Sequence, residues 1–100
     1  MARLDPTLAA LTELAARIRE KVRPGDTLNV PETHYLNGTE PLRLLVTRVG
    51  GVVQVGSLLM VEIVGYPIDS VGPTWQERWV SVRVVALDLP GAVSRPASPS

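Results

Sequence analysis

The stretch "VGGVVQVGSLLMVEIVGYPI", residues 49–68, decides how this chain folds. It holds a single charged side chain, that of Glu62. Gly50, Gly51 and Gln54 interrupt it, so it does not have the roughly 20 consecutive apolar residues that a membrane-spanning helix needs. Its many Val and Ile residues favour strands instead. A strand that is apolar on both faces needs other residues to cover both faces.

On either side of this stretch, apolar and polar residues alternate with the period of a strand. Four strands are predicted, over residues 27–30, 42–49, part of 57–65, and 78–87. In the last of them, four residues are predicted to face the core: Val80, Val82, Val84 and Ala86. Gly50–Gly51 is predicted to be a turn, and 52–55 is either a short extra strand or an extension of that turn.

The chain before residue 23 has the period of a helix, and we predict one over residues 5–22. Asp5 is a suitable N-cap, and Pro6 suits the first helical position, where no N–H is needed. The apolar positions form one stripe: Leu4, Leu8, Leu11, Ala15, Ile18 and Val22. We expect this stripe to cover one face of the strands.

These elements predict an α+β fold: an N-terminal helix packed on a small, strongly bent antiparallel β-barrel or half-barrel of four to five strands. The predicted barrel has an SH3-like size. Pro24–Gly25–Asp26, which leads into the first strand, is similar to a turn found in many SH3-like barrels. We expect one domain over residues 1–87. Residues 88–100, rich in Pro, Ser and Ala without periodicity, are predicted to be a flexible tail.

The composition narrows the classes of function. Net charge is zero, and by quarters the chain carries about +2, −1, −2 and +1, so no segment is basic enough to favour nucleic acid. There are no cysteines, which excludes disulfides and thiolate chemistry. We predict no cofactor, no metal and no membrane association. Asp5 and Glu13 interrupt the place where a secretory signal would be apolar, so we expect a cytoplasmic protein.

The segment "VPETHYLNGTEPL", residues 30–42, is the most polar in the middle of the chain. Four of its side chains are of the types that acid–base chemistry uses: Glu32, His34, Tyr35 and Glu40. No nucleophile or second histidine accompanies them. Pro31 and Pro41 bracket the segment and Asn37–Gly38 is typical of a tight turn. We therefore interpret it as a loop between strands, with a binding loop as the alternative.

The four aromatic residues all lie in the β half of the chain. Tyr and Trp anchor protein interfaces because they bury a large area at low entropic cost. The candidate interaction residues are Tyr35, Tyr66, Trp75, Trp79, Leu59, Val61 and Ile63. Together with the excess apolar character of residues 49–68, they predict a non-enzymatic protein-interaction module. Its expected partner is another protein chain or a second copy of itself, so it acts as a homo-oligomer or an accessory subunit.

Two other functions are consistent with the residues present. A small barrel can bind nucleic acid through stacking and positive charge, and the candidates for that role are Arg43, Arg48, Arg78, Arg83 and Trp79. The neutral charge balance argues against it. A small-ligand binder or an enzyme would use the loop at 31–41, through Glu32, His34 and Tyr35. The missing nucleophile argues against catalysis.

Overall fold

A computed structural model describes residues 6–96. Helix α1 spans Pro6–Lys21, and the strands are β1 (Thr27–Val30), β2 (Leu42–Val55), β3 (Leu58–Pro67), β4 (Arg78–Arg83) and β5 (Val93–Ser94). Short 3-10 helices span Glu32–His34 and Val84–Asp88. The predicted α+β class is confirmed, and the helix ends one residue before its predicted end. The predicted cap Asp5 and the stripe residue Leu4 lie outside the described residues, as does the side chain of Leu8.

The five strands form one antiparallel sheet in the order β4-β3-β2-β1-β5. Consecutive strands β1 to β4 are neighbours, and β5 returns to pair with the free edge of β1. Within residues 6–96, no strand pairing joins β4 to β5. These two edge strands are therefore not hydrogen-bonded to each other, and the sheet is open. The closed barrel therefore stays a prediction.

Strand β2 continues through the glycine pair that the sequence analysis assigns to a turn. Val49 pairs with Ile63 and Val52 pairs with Val61, so Gly50–Gly51 is an irregularity opposite Glu62. A bulge of this kind bends a strand without ending it. The chain reverses later, after Val55, where Gly56 has a φ of 61°. The turn prediction at Gly50–Gly51 is therefore wrong, because a glycine pair suits a bulge as well as a turn.

Strand β4 ends earlier than predicted. The residues after Arg83 form the 3-10 helix Val84–Asp88 instead of continuing the strand to 87. Val80, Val82 and Ala86 are buried as predicted, and Val84 is partly buried. Leu87, next to Ala86, is buried too. Adjacent residues of a strand point to opposite faces, whereas a 3-10 turn can direct two neighbours to the core.

The core lies between α1 and one face of the sheet. Ile18 of the helix and Val22, the residue directly after it, are 1% and 0% exposed. From the sheet it takes the inward residues of β1 to β4: Leu28, Val30, Leu42, Leu44, Val46, Val61, Ile63, Val80 and Val82. β2 and β3 approach so closely that a Cβ on Gly65 would collide with the Leu45 carbonyl oxygen. Only glycine fits at position 65 without moving the strands.

The folded part of the chain extends beyond residue 87, so the predicted boundary is too early. β5 pairs with β1, and the Asn29 N–H donates to the Ala92 carbonyl oxygen at 2.7 Å. Ala92 is 2% exposed. Composition without periodicity hides a two-residue edge strand because so short a segment has no period to detect. The rest of the predicted tail, from residue 97, lies outside the described residues.

Asp26 fastens this C-terminal segment to the start of β1. Its side chain is 3% exposed and accepts hydrogen bonds from the Arg23 N–H at 2.9 Å and from Arg95 Nε at 3.3 Å. Its backbone carbonyl accepts from the Val46 N–H at 2.9 Å. One buried residue therefore links the segment after α1, strand β2 and the residue that follows β5.

We predict that Asp26→Ala lowers the free energy of unfolding by about 1–3 kcal/mol, because it leaves a part-buried backbone donor without its acceptor. Asp88→Ala is the matched control. Asp88 pairs with Lys21 at 2.6 Å, but the two side chains are 63% and 44% exposed. Removing so exposed a pair should cost less than about 1 kcal/mol. Urea denaturation measures both, and equal losses would contradict the role given to Asp26.

Ending the chain after Pro90 removes Ala92, β5 and Arg95 together. We expect the melting temperature to fall by at least about 5 °C, because a loss of 1 kcal/mol corresponds to roughly 4–8 °C in a domain of this size. A chain that ends after Pro96 keeps all three contacts and serves as the control. Identical thermal unfolding of the two truncated chains, followed by circular dichroism, would show that the segment contributes nothing.

Candidate functional site

The face of β2, β3 and β4 that points away from the core carries most of the exposed aromatic area. The strand registers place the following side chains on it: Arg43, Leu45, Arg48, Val53 and Val55 from β2; Leu58, Met60, Glu62, Val64 and Tyr66 from β3; Trp79, Ser81 and Arg83 from β4. We call this set the outer face. Helix α1 packs on the opposite side of the sheet, where Ile18 and Val22 join the core.

Trp79 and Arg48 form a cation–π pair across the centre of the outer face. Val64 pairs with Arg48 on one side and with Trp79 on the other, so the three side chains form one row. The Arg48 guanidinium carbon lies 4.7 Å from the centre of the Trp79 ring. Val64, between them, is 1% exposed, whereas Trp79 is 60% exposed. The pair therefore holds a large aromatic surface open to solvent above a buried residue.

Trp75 extends this aromatic surface from the β3–β4 loop. Its ring meets Tyr66 edge to face, with 5.3 Å between the ring centres. Trp75 is 69% exposed and has a φ of 54°. A left-handed backbone costs a residue with a side chain roughly 1–2 kcal/mol. Such a conformation persists only where the surroundings hold it in place, and it is found most often at functional positions.

The loop itself supplies the hydrogen bonds that hold Trp75. The Asp69 carboxylate accepts from the Val71 N–H at 2.8 Å and from the Gly72 N–H at 3.1 Å. The Thr74 N–H donates to the Pro67 carbonyl oxygen at 2.9 Å. These bonds fasten both sides of the loop directly before Trp75. The backbone that leads into Trp75 is therefore held by hydrogen bonds from both sides of the loop.

The outer face has a positive charge balance although the whole chain is neutral. It carries Arg43, Arg48 and Arg83 against the single carboxylate of Glu62. Within residues 6–96 the ion pairs are Lys21–Asp88 and Arg95–Asp26. None of the three outer-face arginines has a carboxylate partner among the described residues.

The predicted interaction residues divide between this surface and the interior. The structure places Tyr66 and Trp79 on the outer face, and it places Trp75 against Tyr66. Leu59, 40% exposed, lies on the other side of the sheet, beside α1. Three residues belong to the core and present no docking surface: Tyr35, Val61 and Ile63 are 6%, 0% and 0% exposed. Sequence analysis missed Arg48 as the partner of Trp79, because only the register of β2 with β3 reveals their common row.

The loop between β1 and β2 is fastened to the body of the fold by Tyr35. The Tyr35 hydroxyl donates to the Glu40 carbonyl oxygen, and the Leu36 N–H donates to the Ser81 carbonyl oxygen at 2.9 Å. Asn37 adopts a left-handed φ of 60° in the turn closed by the Gly38 N–H and the Tyr35 carbonyl. These contacts agree with the interpretation of this segment as a loop between strands.

His34 does not meet the carboxylates that acid–base chemistry would require. Its Nδ1 lies 2.9 Å from the Thr33 hydroxyl oxygen. Glu32 and Glu40 are exposed, and no hydrogen bond joins either of them to His34 in the described part of the chain. Residues 6–96 contain no group of three or more His, Cys, Asp or Glu side chains arranged to hold a metal ion.

Two apolar clefts lie largely outside the outer face, and Arg43 is the one outer-face residue that lines either of them. One, of about 580 Å³, is lined by Asn29, Val30, Pro31, Pro41, Leu42, Arg43, Leu89, Pro90 and Gly91. The other, of about 360 Å³, lies between α1 and the β2–β3 turn and is lined by Ala10, Leu11, Leu14, Gln54, Ser57 and Leu59. In the larger cleft, the Asn29 side-chain oxygen already accepts from Arg43 Nε at 3.1 Å. Neither cleft brings together the convergent polar groups typical of a small-molecule site.

No helix in the described part of the chain is both long and apolar enough to cross a membrane.

We predict that Tyr35→Ala lowers the free energy of unfolding by about 3–5 kcal/mol, as removal of a buried aromatic ring does. Tyr35→Phe should cost only about 1 kcal/mol, the value of its single hydrogen bond. His34→Ala, the control on the adjacent residue, should stay within about 0.5 kcal/mol. Chemical denaturation tests the series. If Tyr35→Ala unfolds like wild type, this loop is not held by its tyrosine.

Comparison of the chain with models of protein families, with curated proteins and with solved structures finds no match. We therefore infer the function from the geometry of the outer face.

Proposed function

We propose that this protein is a non-enzymatic protein-interaction module that recognises its partner through the outer face. The observation that carries the proposal is Trp75, which is 69% exposed and held in a left-handed backbone conformation. A strained backbone that leaves a large aromatic side chain mostly in solvent lowers stability, and the edge-to-face contact with Tyr66 offsets only part of that cost. We expect the compensating free energy to come from binding, because a rigid aromatic side chain loses little conformational entropy when a partner covers it.

The surroundings of Trp75 support the same proposal. Tryptophan, tyrosine and arginine are the residues most enriched at the energetic centres of protein interfaces. The outer face holds Tyr66 against Trp75, and Trp79 against Arg48. Contact with a partner would cover the second face of a sheet whose interior strand β3 is apolar on both sides.

As part of this proposal, the sheet is the wall of a strongly bent half-barrel of SH3-like size. Two features support it. Strand β2 has irregular pairing at two places, between Val46 and Arg48 and between Val49 and Val52, and bulges increase the bend of a strand. The segment after β1 also reaches the opposite edge of the sheet, because Tyr35 forms an isolated bridge with Val82 of β4.

The module acts as an accessory subunit of a larger assembly or as a homo-oligomer, and it works in the cytoplasm; each of these remains part of the proposal. Binding of single-stranded nucleic acid is the second candidate, favoured by the stacking of Arg48 on Trp79. The zero net charge of the chain ranks it below protein binding, since backbone phosphates are recognised mainly through positive charge.

Two variants test the proposal. Trp75→Gly relieves the left-handed strain because glycine adopts that conformation freely, but it also removes the ring contact with Tyr66. These effects oppose each other, so the free energy of unfolding should change by less than about 1 kcal/mol. Trp79→Ser removes the exposed ring of the Arg48 pair. Val71→Ser is the control, because Val71 is on the same loop, is 94% exposed and is not part of the Tyr66–Trp75 ring pair.

Each protein is immobilised, exposed to extract of its source cells, and the retained proteins are quantified by mass spectrometry. We expect wild type and Val71→Ser to retain the same partner, and both tryptophan variants to lose it. The purified partner should then bind each tryptophan variant about tenfold or more weakly. Equal retention by all four proteins, or no specific retention by any, would contradict the proposal.

A further inference from the structure

We propose that the occupant of the outer face is an extended acidic segment of a partner protein, with carboxylates on its arginines and an apolar side chain on Trp75 and Tyr66. The inference rests on the proposed function and adds the chemical class of the partner. It is carried by the charge of the surface and by the spacing of its rows.

The arginines of the outer face lack carboxylate partners within the described residues. The ion pairs within residues 6–96 are Lys21–Asp88 and Arg95–Asp26. The Arg48 guanidinium lies over the Trp79 ring at 4.7 Å, so its face is covered while its N–H edge is left to bind. A guanidinium edge matches a carboxylate with two parallel hydrogen bonds.

The rows of the sheet define the pattern that an extended chain would need. On β3, Val64 pairs with Arg48 of β2, and Met60 pairs with Arg83 of β4. Each arginine therefore lies in the same cross-strand row as its partner on β3. Four residues of a strand span about 13 Å. An extended peptide has the same rise, so carboxylates four positions apart would reach both arginine rows. The residue two positions before the first carboxylate would lie at the row of Tyr66, against Trp75.

The position midway between the two carboxylates meets Glu62 and Ser81, which share a row. A third carboxylate there would be repelled by Glu62, so a small neutral residue fits best. The recognised pattern is therefore apolar, acidic, small and acidic at every second position. The carboxylate of Glu62 also disfavours a nucleic acid strand, whose phosphates repeat along the whole length of the chain.

The area of the face favours a peptide over a second copy of this protein. Strand β3 has 10 residues and is about 34 Å long, and three strands are about 14 Å wide. The resulting face of about 500 Å² falls short of the roughly 800 Å² per partner that a standard stable interface buries. An extended segment of about ten residues covers such a face along its length, and seven of those residues span the rows from Tyr66 to Met60.

Titration with synthetic peptides, followed by the indole N–H signals in NMR spectra, tests this inference. The chain has two tryptophans, so each signal reports one of the two sites. The first peptide carries the pattern of Leu, Glu, Ser and Glu at alternate positions, with Thr between them. A second has Lys in place of Glu, and a third has Ser in place of Leu. A short oligothymidine and the free protein at increasing concentration are measured alongside.

We expect the Leu–Glu peptide to shift both indole signals and to bind at least about tenfold more tightly than the Lys peptide or the Ser peptide. Arg48→Gln should weaken it about threefold to fivefold, in line with an exposed charge pair. Added salt should weaken it further, and Val71→Ser should bind as wild type does. The result that overturns the inference is equal or tighter binding of the Lys peptide.

Tighter binding of oligothymidine would overturn it in favour of nucleic acid. Concentration-dependent shifts of both indole signals without peptide would overturn it in favour of a second copy. If no peptide binds while the cellular partner is still lost from Trp75→Gly and Trp79→Ser, the interaction function stands and the acidic class of partner is wrong. If the partner is retained by those variants, the proposed function itself is wrong.

Discussion

One helix can cover only one face of a sheet, and the rest of this structure depends on that constraint. Helix α1, with 16 residues, places Ile18 in the core on the inner side of the strands, and Val22, directly after the helix, joins it there. Strand β3 is apolar on both faces and contains a single charge, on Glu62. Within residues 6–96, its outer side is covered by the side chains of the neighbouring strands alone. Met60 and Val64 are buried there, while Trp79 and Leu58 remain 60% and 39% exposed.

Two buried polar residues attach the C-terminal segment and the β1–β2 loop to the sheet. Asp26 connects the start of β1 to Arg95, beyond β5, and Tyr35 connects the β1–β2 loop to β4. Both residues are buried and both are satisfied by hydrogen bonds, so they act within the fold. The outer face has no such connection and contains exposed rings and unpaired guanidinium groups among the described residues. This contrast is why we assign recognition to the outer face and not to the polar loop.

Periodicity predicted the helix, the class of the fold and most of the strands, because those depend on local patterns. It failed where a residue type suits two conformations. Gly50–Gly51 forms a bulge rather than a turn, and Val84–Asp88 forms a 3-10 helix rather than the end of a strand. The two-residue strand β5 depends on a free edge of β1, which lies more than sixty residues earlier and leaves no trace in the local sequence.

In the candidate site, too, some residues could be selected from the sequence, and others require the three-dimensional structure. Aromatic type was enough to select Tyr66, Trp75 and Trp79, which lie on the outer face or against it. It could not separate them from Tyr35, whose ring is buried. In β3, apolar residues occupy both faces, so the pattern does not reveal that Val61 and Ile63 point inward. The Arg48–Trp79 pair and the left-handed φ of Trp75 require the strand register and the loop geometry.

Hydroxyl-radical footprinting of the protein, free and within its native assembly, tests whether Trp75 and the outer face form the binding surface, because it reports the solvent exposure of individual side chains. The account predicts that Trp75 and Trp79 react readily in the free protein and become protected in the assembly. Tyr35 should be unreactive in both states, and His34 should react equally in both. Undiminished reactivity of Trp75 and Trp79 in the assembly, with protection of His34 instead, would contradict it.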